Sequence, residues 1–235
     1  MMIKISRRLV LSAAVLAALP SVVQASGGSS MPPPSPGPGS SFPSTPRKPP
    51  AEEAIDHYNA GVRMRDRAVA LQKEAAQAAD EKERAKLEKK AMKEFDRAIG
   101  EFREAAQKNP LFYQASSDLG FCLRKTGDYP AALEAYDRAI SLAQNYAPAI
   151  EYRAEAYLGL DRTEEAKQAY LQLFASDRAR ADELMAAMKA WVEKHSAAPG
   201  PVAPDAVKEF SSWVQQREEI ATQTPSVSQL QERKW

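Results

Sequence analysis

The residues of this chain that could do acid–base, nucleophilic or metal chemistry are two histidines, one cysteine and 31 Asp and Glu. Their spacing assembles no such chemistry. His57 and His195 are far apart, so there is no His pair at helical spacing of the kind that holds zinc. Cys122 has no partner for a disulfide and no CxxC neighbour. It lies between Phe121 and Leu123 and reads as a buried small hydrophobe rather than a redox-sensitive thiol. No Gly-rich phosphate loop and no nucleophile elbow occurs. The carboxylates follow exposed helix faces, and His57 and His195 read as surface or capping residues. The expectation is a non-enzyme with no cofactor and no metal.

The elements that carry these residues recur. Gly120, Gly127, Ala132, Tyr136 and Ala139 align at a 34-residue step with Ala154, Asp161, Ala166, Tyr170 and Leu173. One step earlier, Ala98, Phe102 and Ala105 precede Ala132, Tyr136 and Ala139. A fixed period of about 34 residues marks helix–turn–helix units that stack, because one unit alone cannot bury its apolar face. Small residues at Gly120 and Ala154 admit close helix approach, and Ala132 and Ala166 sit where the second helix crosses the first. Tyr136 and Tyr170 fill the space between pairs. Gly127 and Asp161 end first helices through positive φ. Asp128 and Thr163 read as caps of the helices that follow.

The run Leu119-Gly120, Leu123, Gly127, Ala132, Tyr136, Ala139 resembles the tetratricopeptide repeat, and so does the closing half Ala98, Phe102, Ala105, Pro110. The third unit departs from that pattern, with Asp161 at the turn glycine and no closing proline. The resemblance covers about residues 54–180 and implies an all-α solenoid of about three repeats. Residues 181–195 then predict a capping helix with Leu184, Met188 and Trp191 on one face. A short helix follows from Asp205 with Val207, Phe210, Trp213 and Val214, and a polar, disordered tail from about Thr222.

The first unit is longer than the others. Gly61 and Ala98 are 37 residues apart where Gly120 and Ala132 are 12 apart, an excess of 25. The segment between is rich in helix-forming Ala, Glu, Lys and Gln. The simplest geometry lengthens both helices, with a turn near Ala79-Asp80-Glu81 and an inserted hairpin at about 68–92. A single continuous helix over 54–107 is the alternative. The charges along the arm alternate in sign like a solvated face. Either the arm is a passive coiled-coil extension or it is a second contact surface.

Residues 1–25 read as a signal peptide: Lys4, Arg7 and Arg8, the apolar run Leu9–Leu19, then Val23-Gln24-Ala25 before the cut. Arg7-Arg8 also resembles a twin-arginine motif, but Val10 departs from it and the general secretory route is favoured. The expected location is the periplasm, with membrane attachment only if the segment stays uncleaved. Residues 26–50 carry Pro and Ser in a low-complexity, disordered spacer. The three bases of the leader leave 29 basic against 31 acidic residues in the rest, which gives no support for nucleic-acid binding.

The resemblance assigns the partner-binding face to the first helix of each unit. The corresponding positions are Tyr58, Val62, Arg65, Gln114, Ser117, Phe121, Arg124, Glu151 and Glu155. They do not form the Lys/Asn clamp by which some members hold a terminal carboxylate. The expectation is a peptide or helix of an unidentified protein partner, with Tyr58 and Phe121 supplying apolar area and Arg65 and Arg124 meeting its acids. The alternatives are a component that self-associates through the arm, or an accessory subunit of an envelope enzyme or secretion complex.

Overall fold

The computed structural model describes residues 48–197 and 200–224. The expected signal peptide, the spacer up to residue 47 and the tail beyond 224 lie outside the described residues. Among these residues there are eight α-helices and no strand: α1 Pro50–Gln77, α2 Glu81–Lys108, α3 Tyr113–Lys125, α4 Tyr129–Leu142, α5 Ala147–Gly159, α6 Thr163–Ser176, α7 Arg178–Ala197 and α8 Pro204–Gln223. Consecutive helices pair as hairpins, and α1, α3, α5 and α7 neighbour one another in turn along one side. This is a tetratricopeptide-like solenoid.

Its packing unit is a glycine set against an aromatic ring. A Cβ at Gly120 would lie 2.7 Å from the ring of Tyr136, and one at Gly61 would lie 2.7 Å from that of Phe102. Tyr136 and Phe102 are fully buried, so each ring occupies the space a side chain would need. The same contact therefore recurs in the first two hairpins, although the first carries its insertion between the two partners. Ala154 and the buried Tyr170 stand at the corresponding places in the third.

The turns repeat as well. Gly127 has φ 88° and Asp161 has φ 60°. At each, two backbone N–H groups close the preceding helix: Gly127 to the Arg124 carbonyl and Asp128 to that of Leu123, then Asp161 to Leu158 and Arg162 to Tyr157. The Asp128 carboxylate accepts from the Ala131 N–H and caps α4. Thr163 does not cap α6. It is the first helical residue, Arg162 holds the cap position, and no side chain bonds there.

In the first hairpin the chain turns at Ala78–Asp80, which excludes one continuous helix. Asp80 accepts from the Lys82 N–H and starts α2. Small residues recur every seven positions on both helices, at Ala54, Gly61, Ala68 and Ala75 on α1 and at Ala91, Ala98 and Ala105 on α2, all buried. This spacing keeps one narrow seam facing the partner helix along the whole arm. At 1.5 Å per residue α1 is about 42 Å long, roughly twice α3, so the hairpin projects about 20 Å beyond the solenoid.

The far end differs from the expected single cap. Leu184, Met188 and Trp191 of α7 are buried together with Val207, Phe210 and Val214 of α8 in one cluster. The Trp191 and Phe210 rings meet edge to face at 5.1 Å. So α7 is an interior helix, and α8 is the outermost layer that shields the stack. Among the described residues no helix is long and apolar enough to cross a membrane.

Candidate partner-binding face

The first helices α1, α3, α5 and α7 present the predicted residues along their shared side, and three ion pairs join them in sequence. Arg65 of α1 donates to Asp118 Oδ1 of α3 at 2.6 Å, and also to Asp66. Arg124 of α3 pairs with Glu155 of α5. Arg180 of α7 donates to Glu151 of α5 at 2.6 Å. Each junction between neighbouring first helices thus has one cation–carboxylate bridge.

The bridged side chains are buried or partly buried. Asp118 also accepts from the Tyr58 hydroxyl at 2.9 Å. Burial pushes its carboxyl above the ordinary range, against the pull of Arg65. Burial likewise pushes Glu151 up to about 6, opposed by Arg180. The guanidinium of Arg124 lies over the rings of Phe121 and Tyr152, at 5.5 and 5.4 Å.

These facts revise the sequence reading of the charges. Arg65 and Arg124 were expected to meet the acids of a partner, but both are already matched to carboxylates of this chain. Ser117 is buried, at 3% exposure, and Glu151 is buried at 2%, so neither offers a surface. Val62 packs against the core cluster of the first two hairpins. Gln114 is half-buried on α3. Tyr58 leans on Phe112, with ring centroids 4.7 Å apart, and Phe121 meets Tyr152 at 5.2 Å.

Four residues of this face went unread in the sequence. Asp118 adjoins the repeat signature Leu119-Gly120, and its helical spacing from Gln114, Phe121 and Lys125 marks the same strip. Tyr113 and Tyr146, which pack edge to face at 5.0 Å, sit at the starts of α3 and α5. Tyr152 lies between Arg124 and Arg180, whose guanidinium groups stand 5.4 and 5.6 Å from its ring. The rings of Tyr113, Tyr146, Phe121 and Tyr152 are half-buried and pack against the core cluster of the first two hairpins.

The histidines are used structurally. His57 Nδ1 is 2.8 Å from Glu101. His195 stacks on Trp191 at 3.9 Å, and its Nε2 lies 3.1 Å from Asp161. Cys122 is fully buried and burial pushes its thiol up. Among the described residues no group of three His, Cys, Asp or Glu side chains converges as a metal site would require.

Residues 90–152 match a family model described as tetratricopeptide repeat. A structure titled "Crystal structure of MamA" aligns at 18% identity and a TM-score of 0.40, covering 67% of this chain and 90% of that one. That likeness is too low to bear on helix placement or ligand. No curated protein matches the chain.

Proposed function

Because the chain carries tetratricopeptide repeats, a fold of stacked helical units that serves as a protein-interaction scaffold, we propose that it is an exported adaptor that holds a segment of a partner protein across its first-helix face. The observation behind this reading is the state of that face. Its arginines are engaged in bridges between helices, while half-buried aromatic rings stand between those bridges. Recognition then rests on apolar and aromatic contact with a peptide or helix. The periplasmic location rests on Lys4, Arg7 and Arg8 ahead of the apolar run Leu9–Leu19. N-terminal sequencing of protein recovered from an osmotic-shock fraction tests that step.

The groove is tested by capture from an envelope extract with three baits: the parent chain, Tyr113→Ser with Tyr146→Ser, and the exchanged pair Arg124→Glu with Glu155→Arg. The aromatic variant loses the partner and the exchanged pair keeps it, because the exchange preserves the bridge and the rings. A partner retained by the aromatic variant refutes the groove. The long first hairpin favours a second reading, self-association through the arm. Light scattering of the parent and of a chain lacking residues 68–92 decides it, since an oligomer that survives the deletion does not use the arm.

A further inference from the structure

The solvent face of α2 carries a charge pattern that the groove does not use. Lys82, Lys86, Lys89, Lys90, Lys93 and Arg97 are all exposed. At about 100° per residue they fall within one strip roughly 100° wide, opposite the buried line Leu87, Ala91, Phe95 and Ala98. The strip is about 22 Å long and lies mainly on the part of the hairpin that projects beyond the solenoid. Lys86 and Arg97 have carboxylate neighbours on the same helix, Glu83 at 3.1 Å and Glu94 at 3.3 Å. The ammonium groups of Lys82, Lys89, Lys90 and Lys93 take part in no ion pair among the described residues.

We infer that this strip is a docking surface for an anionic lipid bilayer, laid down by the arm. Three features select that occupant. Five of the six cations are lysines, which are compact point charges without the bidentate fork that reads a particular carboxylate or phosphate. No aromatic residue is interleaved between them, which removes the stacking a single-stranded nucleic acid would use. The strip is straight, raised from the body and without an apolar row to enter a protein groove, which suits a flat, charged surface that it touches without inserting. An acidic protein surface is the competing occupant, and its signature is binding that ignores the lipid.

The test is co-sedimentation of the full chain with phosphatidylcholine vesicles holding no anionic lipid or about a third phosphatidylglycerol. Lys4, Arg7 and Arg8 also favour the anionic vesicles, so the readout is the anionic-specific partitioning of each variant against the parent, all of which keep the same N-terminal segment. A lysine near an anionic surface is worth about 1 kcal/mol, or about fivefold in partitioning. Replacing Lys82, Lys89, Lys90 and Lys93 by Gln therefore lowers the anionic-specific partitioning by on the order of several hundredfold. Arg63, Arg67, Lys194 and Lys208→Gln remove as much charge elsewhere and leave most of the binding. Raising the salt to about 1 M, where the screening length is about 3 Å, abolishes it. Equal partitioning of the parent onto both vesicles, or equal losses in the two variants, overturns the proposal. All substituted side chains are exposed, and unchanged helical circular dichroism shows that each variant is folded.

Discussion

Two glycine-to-alanine substitutions, made on neighbouring helices, carry opposite expectations. Both remove backbone freedom from the unfolded chain and raise helix propensity, which favours alanine by about 1 kcal/mol in a helix interior. At Gly100, in α2, an added Cβ meets nothing within 4 Å, so the gain stands alone. At Gly120, in α3, the Cβ would lie 2.7, 2.8 and 2.9 Å from three atoms of the Tyr136 ring. Tyr136 is fully buried and cannot swing into solvent. Its displacement costs about 1–3 kcal/mol, as overpacked cores do. Gly100→Ala should therefore stabilise by up to about 1 kcal/mol and Gly120→Ala, after its propensity gain, destabilise by up to about 2 kcal/mol. Urea unfolding followed at 222 nm gives both midpoints. The double variant Gly120→Ala with Tyr136→Leu, in which the ring is gone, should recover part of the loss. If Gly100→Ala and Gly120→Ala shift the midpoint in the same direction, the glycine–ring contact is not what sets the helix spacing.

Other expectations follow from the bridges and turns. Glu151 titrates near 6 when folded against 4.5 ordinarily, so the folded state holds more protons between these values. Its contribution to stability therefore rises as pH falls through 6 and levels off below 4.5, by about 1 kcal/mol once solvent screening at Arg180 is allowed for. The difference in unfolding free energy between the parent and Glu151→Gln, from urea unfolding at pH 4 and pH 7.5, should change by about that amount, and a constant difference refutes it. Asp161 combines φ 60° with a carboxylate that accepts from Trp191 Nε1 and lies against His195 Nε2, each at 3.1 Å. Asp161→Ala should cost about 2 kcal/mol, and Asp161→Gly about 1 kcal/mol less than that, because glycine keeps the backbone unstrained. Calorimetry of the two variants ranks them. Cys122 should resist a thiol reagent in the folded protein and react fully in urea; rapid native labelling would show that α3 opens locally.

The repeat positions were legible because each is a demand on size. Gly120, Tyr136, Ala132 and Ala139 must be small or large to let helices cross, and that demand recurs at a fixed step. The arm was legible for a related reason, since an excess of 25 residues without Gly or Pro breaks between Val62 and Ile99 has few shapes other than two longer helices. Caps were less so. Asp128 and Thr163 look equally able to cap, but both turns pass through a left-handed residue, Gly127 or Asp161, and the next position is the cap, which is Asp128 in one unit and Arg162 in the other. The sequence spacing set these positions along the first helices but did not show that Arg65 and Arg124 are paired within the chain. Sequence spacing places residues along one helix; it says nothing of the register between helices, and that register brings Asp118 to Arg65 and Arg180 to Glu151. The packing role of α8 was also hidden, because Val207, Phe210 and Val214 follow a proline-rich break that reads as the end of the domain.

The three bridges give the array an order that its shared repeat pattern would not. Arg65 and Arg124 occupy the same position in their units, yet one reaches Asp118 and the other Glu155, which stand at different positions in theirs. The residue equivalent to Glu155 in the preceding unit is Phe121. A second copy of α3–α4 spliced after the first would offer Arg124 the Asp118 of that copy, as Arg65 has now, and the copy's own Arg124 would meet Glu155. Exchanging α3–α4 with α5–α6 would instead strand Glu151 away from Arg180. The array can thus lengthen at its middle, while its last junction cannot be swapped without leaving a buried charge unmatched.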